Sequence, residues 1–430
     1  MRSHTMGCRI ACLLVLMGGL ALAAPPAQAD DAAVTTWGPT VAPVVDPLGG
    51  PQPVMTRRTS GWCAPVPEGC CPTDCLPNPL TRIPCVDDCW DQYQAAKEKS
   101  CLQLGAGAYH WFNYQNESDE FTYGYPGAEG TYFFALRGDL TCDGPCCGKV
   151  GAHIEARFRD DSPFRSFFDE QVWLYEAYAF YEFHNGARLK VGKVWRRFGL
   201  DWDASFWGNV NYYNGQKLDP DWMISYEHTY TLVPRLTVDV FAQFLLGEDE
   251  VNGSIAGGDA ESSDIYDEEL GGNVRVVPTW HFDTKTKLAL GLSGHVQDIS
   301  STIGSNETAT AFAVDLTFDW CGLKAYAEYA THDGTVHEAH YVTGGPSDTK
   351  DILLVGAQYT FGAFTPRVTY SHGEYKNPGG EEDMLVAGVD VRLTNWLTFT
   401  FEYVDWTVKP DGGAEAPFED GLQFVFSWNI

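Results

Sequence analysis

The sequence predicts an all-β fold, a transmembrane antiparallel β-barrel of about sixteen strands, preceded by a small Cys-rich segment. Three observations lead to this prediction. Segments that alternate apolar with polar residues follow one another from Leu102 to Ile430. The connections between them alternate between short and long, which is typical of barrels that cross an outer membrane. Aromatic residues flank the short connections, where a membrane interface would lie.

The first 61 residues precede any strand pattern. Residues 1–29 predict an export signal, because the basic residues Arg2 and Arg9 precede an apolar stretch, residues 10–24, and a small-residue cleavage pattern, Ala27-Gln28-Ala29, follows it. Residues 30–61 are rich in Pro, Thr and Val and predict an extended linker. No later stretch offers the roughly 20 apolar residues of a spanning helix. We therefore expect an exported chain without a helical anchor.

Cysteines mark the next segment, residues 62–101, which we expect to be a disulfide module on the periplasmic side. The chain has 13 cysteines, of which Cys8 and Cys12 fall in the signal. Exported proteins form disulfides, and the candidates are Cys63, Cys70, Cys71, Cys75, Cys85, Cys89, Cys101, Cys142, Cys146 and Cys147. Cys321 stands apart and is the expected odd thiol. A metal cluster is the alternative, but the spacing matches no zinc pattern, so no metal site is expected.

The barrel domain is predicted to fill residues 102–430. Its clearest hairpin joins two alternating runs through Asn185-Gly186, a dipeptide that suits a type I′ turn. The predicted strands are 102–115, 129–138, 149–159, 170–183, 187–198, 222–231, 235–247, 270–281, 286–298, 308–320, 322–332, 351–361, 364–375, 382–393, 396–407 and 419–430.

Loop lengths assign the two ends of this barrel. The short connections, expected in the periplasm, are 184–187, 232–234, 283–285, 321–322, 362–363 and 394–395. The long ones, expected outside the cell, are 199–221, 247–269, 299–307, 332–350, 376–381 and 409–418. One connection breaks the alternation, because residues 138–148 make a long loop on the periplasmic side.

Composition limits the partners. The formal net charge of −30 argues against nucleic acid as a partner, since nucleic-acid binding needs basic surface. The chain is 14% aromatic with a mean hydropathy of only −0.22. This combination suits a barrel, in which half of each strand faces water. No motif indicates a cofactor.

The alternating chain and its last strand together resemble Gram-negative outer-membrane porins. That strand places apolar residues on one face and ends Leu422, Phe424, Phe426, Trp428 and Ile430. Residues 189–193, followed by 198–200, are similar to the strand-to-loop step of phosphate-selective porins. Terminal Ile430 departs from the usual Phe or Trp, and the Cys-rich module resembles the cross-linked porins of chlamydia-like envelopes in texture only.

The resemblance implies a non-enzymatic channel in the bacterial outer membrane. Its partners would be membrane lipid and the small hydrophilic solutes or ions that diffuse through it, and homotrimers are common in the family. It also implies that the third external loop, 199–221, folds into the lumen. Loop acids would then oppose wall bases and set ion selectivity, with Asp201, Asp203, Asp219 and Asp221 facing Arg157, Arg159, Arg188, Lys190 and Arg196. The alternative is that these are simply hydrated lumen residues.

Two other functions stay open at this point. The first is a structural envelope barrel, cross-linked by disulfides, that passes no solute. The second is a barrel-embedded hydrolase, although the histidines stand in no G-x-S-x-G or H-E-x-x-H motif. The acidic loop 247–269 lacks the spacing of a Ca²⁺ loop, which leaves cation binding there undecided.

Overall fold

A computed structural model describes residues 100–115, 120–123, 132–144, 148–159, 172–200, 208–210, 220–247, 266–301, 307–334, 349–376, 379–410 and 416–429. The predicted signal, linker and residues 62–99 of the Cys-rich module lie outside these ranges, as do residues 248–265 of the acidic loop and Ile430. Within the ranges the chain is essentially all β. No helix among the described residues is long and apolar enough to cross a membrane.

Seventeen strands make up this part of the chain. They are β1 Leu102–Gln115, β2 Glu120–Tyr123, β3 Tyr132–Asp143, β4 Lys149–Arg159, β5 Val172–Glu182, β6 Arg188–Trp195, β7 Pro220–Val233, β8 Leu236–Leu245, β9 Tyr266–His281, β10 Thr286–Ser301, β11 Glu307–Trp320, β12 Leu323–Asp333, β13 Thr349–Tyr359, β14 Phe364–Lys376, β15 Gly380–Arg392, β16 Leu397–Pro410 and β17 Ala416–Asn429.

The strands close into a barrel through antiparallel pairs. From β3 onward each strand pairs with the next, and β1 pairs with β17, so that Gly107 lies opposite Asn429. The four residues of β2 pair with the far end of β1, on the same side as β3. β2 and β3 therefore form one interrupted wall strand, and the barrel has 16 strands, as predicted.

The prediction of a long periplasmic connection at residues 138–148 is wrong. β3 continues to Asp143, which lies opposite Lys149 at the start of β4. Beyond this pair the Gly144 N–H donates to the Gly148 carbonyl at 2.7 Å, which closes a short turn. Thr141 and Asp143 read as loop residues in the sequence, but the pairing with β4 carries them into the strand. The connection between β3 and β4 is thus residues 144–148, about half the predicted length.

Short turns use the conformations that hairpins need. Gly186 has a φ of 82°, and the Ala187 N–H donates to the Asn185 side-chain oxygen at 3.1 Å. Cys321 and Gly322 both have positive φ, 47° and 90°, as a two-residue type I′ turn requires. At the β9–β10 turn, the Lys285 N–H and the Thr286 hydroxyl donate to Asp283, which lowers the pKa of that carboxyl.

The two faces of the wall differ as a membrane barrel requires. On β10, Leu292 and Val296 are 43% and 48% exposed on the outer face, whereas Ser293 and His295 are buried on the inner face. The same alternation on β4 leaves Ile154 exposed and buries its neighbours. An apolar exterior around a polar interior suits a wall between lipid and lumen.

A cation on the outer face should therefore destabilise the barrel in lipid. Leu292 lies between Val276 and Val314 on the neighbouring strands. We expect Leu292→Arg to lower the free energy of unfolding in vesicles by about 2–4 kcal/mol, the cost of a cation near the bilayer midplane. Phe282→Arg is the control, because Phe282 lies in an exposed turn. Equal effects of the two substitutions would contradict a lipid-facing Leu292.

The cysteines correct two predictions, that Cys321 is the odd thiol and that Cys101 and Cys142 form disulfides. Cys321 is disulfide-bonded, to a partner outside the described residues, so it is not the odd thiol. The β11–β12 turn lies at the same end of the barrel as the start of β1. Cys101 has an exposed thiol, and Cys142 is a buried thiol. The Thr141 N–H donates to the Cys101 carbonyl, so strand alternation turns Cys101 and Cys142 to opposite faces of the wall. The other disulfide candidates lie outside the described residues.

Candidate functional site

Basic residues on the inner wall are held by carboxylates of the same wall. Arg137 and Arg157 donate to the two oxygens of Glu155, at 2.8 and 2.6 Å. Glu155 and Arg157 are 1% and 0% exposed. Hydrogen bonds from two guanidinium groups fix the position of this carboxylate and offset much of its charge.

Two further ion pairs lie nearer the short-turn end of the same wall. Arg188 and Glu182 face each other across the β5–β6 hairpin, with Nη2 donating to the carboxylate at 2.6 Å. Lys190 donates to Glu227 of β7 at 2.6 Å, and both side chains are buried. The predicted wall cations Arg157, Arg188 and Lys190 are thus each paired along the wall.

Arg196 follows the end of β6 and contacts the start of β7. Its guanidinium donates twice to one oxygen of Asp221, at 2.9 and 2.7 Å. Asp221 was assigned to the third loop from the sequence, but Pro220 already pairs with Trp195, so Asp221 belongs to β7. Arg196 and Asp221 therefore meet where β6 ends and β7 begins.

The other predicted constriction residues are only partly described. Arg159 is the last residue of β4, and only its backbone is described. Asp201, Asp203 and Asp219 lie outside the described residues. Their opposition to wall cations stays a prediction.

The chain that leaves β6 turns onto the inner wall instead of away from it. We call residues 196–200 and 208–210 the lumen segment. The Arg197 N–H donates to Gln243 on β8 at 2.8 Å, and the Gly199 N–H donates to Ser293 on β10 at 3.0 Å. The Leu200 N–H donates to the carboxylate of Glu328 on β12.

Val210, at the end of the lumen segment, contacts a strand of the inner wall further around the barrel. The Val210 N–H donates to the Ser371 hydroxyl on β14 at 3.0 Å. Four backbone donors are therefore satisfied by side chains on β8, β10, β12 and β14. Because backbone N–H groups need partners when buried, these contacts hold both described parts of the lumen segment against the inner wall.

Apolar contacts hold the lumen segment between these hydrogen bonds. Phe198 packs in a buried cluster with Ala311, Ala313 and Ala330, and its ring centroid lies 5.7 Å from that of His332. Leu200 packs with Tyr326 and Leu354 in a second cluster. Alanines on β11 and β12 leave the room that the Phe198 ring fills.

Sequence reasoning missed the four acceptors of the lumen segment. Gln243, Ser293, Glu328 and Ser371 each occupy an inward position of an alternating strand, which marks them as lumen residues. The same pattern holds for many other polar residues of the wall. Only the fold shows which of them the chain after β6 reaches.

Comparison with known proteins supports the fold. No protein-family model matches the sequence, and no curated protein matches it. The outer membrane channel DcaP of Acinetobacter baumannii aligns over 76% of this chain and 97% of its own, at 12% identity and a TM-score of 0.54. Salmonella typhi OmpF, in a complex with Daunomycin, aligns over the same shares at 13% identity and a TM-score of 0.57.

A third solved structure is the trimer form of OmpT, an outer membrane protein of Vibrio cholerae. It aligns over 76% of this chain and 99% of its own, at 12% identity and a TM-score of 0.50. At such low identities these likenesses establish the fold, which is the closed sixteen-stranded barrel of outer-membrane porins.

Proposed function

We propose that the chain forms a water-filled channel in the bacterial outer membrane. Small hydrophilic solutes or ions diffuse passively through it, and loop 199–221 narrows it. The observation that carries the proposal is the lumen segment, whose backbone N–H groups are bound by side chains of β8, β10, β12 and β14. A chain that crosses the inner wall reduces the free cross-section at that level.

Barrel size supports a channel. Eight strands close a barrel that side chains fill, whereas about sixteen strands leave an aqueous lumen. The ion pairs of β3 to β7 line one side of this lumen, and charged side chains at a narrow level set which ions pass. The apolar outer face supports location in a membrane. We further propose that the Cys-rich module lies at the periplasmic end.

The rival function is a structural barrel that is cross-linked by disulfides and passes no solute. The observation that favours this rival is the disulfide of Cys321 at the short-turn end of the barrel. A barrel-embedded hydrolase is the weaker rival, and we propose that the protein is not an enzyme. The trimer form of OmpT makes a homotrimer the assembly to test by cross-linking.

Swelling of proteoliposomes tests solute passage. Vesicles that contain the refolded full chain should swell in small sugars and stop swelling as the sugar grows, because the lumen segment limits the passage. Vesicles with heat-denatured protein are the control. A folded, inserted barrel that gives no swelling with any sugar would contradict the channel and favour the structural rival.

Lys190 provides a test of selectivity. We expect Lys190→Gln to shift the channel toward cations, because the substitution leaves the carboxylate of Glu227 on the inner wall without the ammonium that lies 2.6 Å away. The reversal potential in a KCl gradient measures this shift. Lys376→Gln removes the same charge from an exposed pair with Asp351. An unchanged potential for Lys190→Gln, or an equal shift in both variants, would contradict the role of Lys190.

A further inference from the structure

Three potential metal ligands converge on the inner wall of β4 and β5. Glu155 and Glu176 lie directly opposite each other in the strand pairing, and His153 is two residues before Glu155. The three side chains are buried, with 3%, 1% and 8% exposure for His153, Glu155 and Glu176. One ligand atom from each lies within 4.8 Å of the other two.

His153 is oriented as a metal ligand would be. Its Nδ1 lies 2.7 Å from Asp139 Oδ1, and since a carboxylate only accepts, Nδ1 carries the donated hydrogen. The other ring nitrogen, Nε2, is then free to offer its lone pair. The ring of Tyr178 stacks on the imidazole at a centroid distance of 5.1 Å. A carboxylate on one nitrogen is the usual way in which proteins fix the tautomer and direction of a ligating histidine.

The ring nitrogen that faces the cluster lacks a hydrogen bond. His153 Nε2 is buried and has no hydrogen-bond partner. Glu176 Oε2 is 3.8 Å away, too far for a hydrogen bond. Zinc binds nitrogen and carboxylate oxygen at about 2.0–2.2 Å, so an ion between these two atoms would contact both. A buried polar atom without a partner needs an explanation, and a bridging ion supplies one.

Nearby charges permit a cation. Asp139, Glu155 and Glu176 contribute three carboxylates, against the two guanidinium groups of Arg137 and Arg157. Lys190 and Arg197 also lie close enough to act on Glu176, but Lys190 is itself paired with Glu227. Arg137 and Arg157 both donate to Glu155, and each carboxylate oxygen keeps a second lone pair. Glu155 can therefore accept these bonds and still complete a metal site whose main ligands are His153 and Glu176.

We propose that His153, Glu176 and Glu155 bind one divalent transition-metal ion of the Zn²⁺ class in the lumen wall. The imidazole ligand selects this class over Ca²⁺ and Mg²⁺, which take oxygen ligands. The site goes beyond passive diffusion, and it does not depend on whether the barrel conducts. The competing explanation is a protonated His153 that balances the two carboxylates without any metal.

Titration with Co²⁺ tests the site by its visible absorption. The sample is the untagged, refolded full chain with its thiols alkylated, so that cysteines do not bind the metal. Wild-type protein should take up one equivalent with absorption bands typical of nitrogen and oxygen ligands, and Zn²⁺ but not Ca²⁺ should remove them. His153→Gln should abolish the bands, and Glu176→Gln should weaken binding at least severalfold.

The matched control is His372→Gln, because His372 contacts Asp383 but lies outside this cluster. This variant should bind as wild type does. Absence of the bands in wild-type protein, or equal bands in His153→Gln, would overturn the proposal. X-ray absorption of Zn²⁺ on the wild-type protein needs no variant to fold. The spectrum should show Zn²⁺ coordinated by nitrogen and oxygen atoms, with an imidazole among the ligands. A coordination shell without imidazole would also overturn the proposal.

Discussion

Replacing Gly199 with valine should raise the single-channel conductance severalfold. Gly199 has a φ of 65°, and a Cβ at this position would overlap the carboxylate of Glu328. A residue with a side chain loses roughly 1–2 kcal/mol in this left-handed conformation, before the overlap is counted. The lumen segment should then leave the wall at Ser293 and Glu328, which now bind the Gly199 and Leu200 N–H groups. The cross-section that this segment is proposed to narrow would then widen.

Gly186→Val is the matched control. Gly186 also has a positive φ, 82°, but a Cβ at this position would have no other atom within 4 Å, and the residue belongs to a short turn. We expect this variant to conduct as wild type does. If folded Gly199→Val barrels keep the wild-type conductance, the lumen segment does not limit the channel.

Of the substitutions considered for stability, removal of Arg367 should lower the free energy of unfolding most. Its guanidinium on β14 reaches across β15 to Glu402 on β16, with contacts of 3.1 and 2.5 Å, and also contacts Asp390. Gly388 lies between Arg367 and Glu402 in the pairing, and a Cβ there would come within 2.7 Å of the Glu402 side chain. Arg367 and Glu402 are 1% and 0% exposed in their side chains.

We expect Arg367→Met to lower the free energy of unfolding by about 3–5 kcal/mol, because it removes the cation from two carboxylates, one of them buried. Urea unfolding in lipid vesicles measures the loss. The control is Lys287→Met, whose pair with Asp319 is partly exposed and should contribute less than about 1 kcal/mol. Similar losses in both variants would show that burial of the Arg367 cluster adds nothing.

Alternation in the sequence placed the strands well, because a wall between lipid and water imposes one period on every strand. Its errors fall where pairing overrides composition. β3 runs on to Asp143 because β4 pairs with it, although Thr141 and Asp143 have the composition of a loop. The start of β7 moved for a similar reason, since Pro220 already lies opposite Trp195.

The candidate site was less predictable than the wall. The sequence identified Arg157, Arg188, Lys190 and Arg196 as charged wall residues, but it did not assign their partners. Leu200 and Glu328 are 128 residues apart, and their contact depends on how the whole barrel closes. His153 looked like an ordinary lining residue, because its relation to Asp139 and Glu176 arises only from the pairing of β3, β4 and β5. Cys321 was misjudged because isolation in sequence does not imply isolation in space.

Current through a planar lipid bilayer tests most directly whether this barrel is an open channel. Refolded full-length wild-type protein should insert in discrete, uniform current steps that grow linearly with voltage, because a permanently open lumen behaves as a fixed conductor. Insertion is verified independently by protection of the barrel from protease in the same lipid. A protein that is folded and inserted but leaves the current at its baseline would contradict the channel.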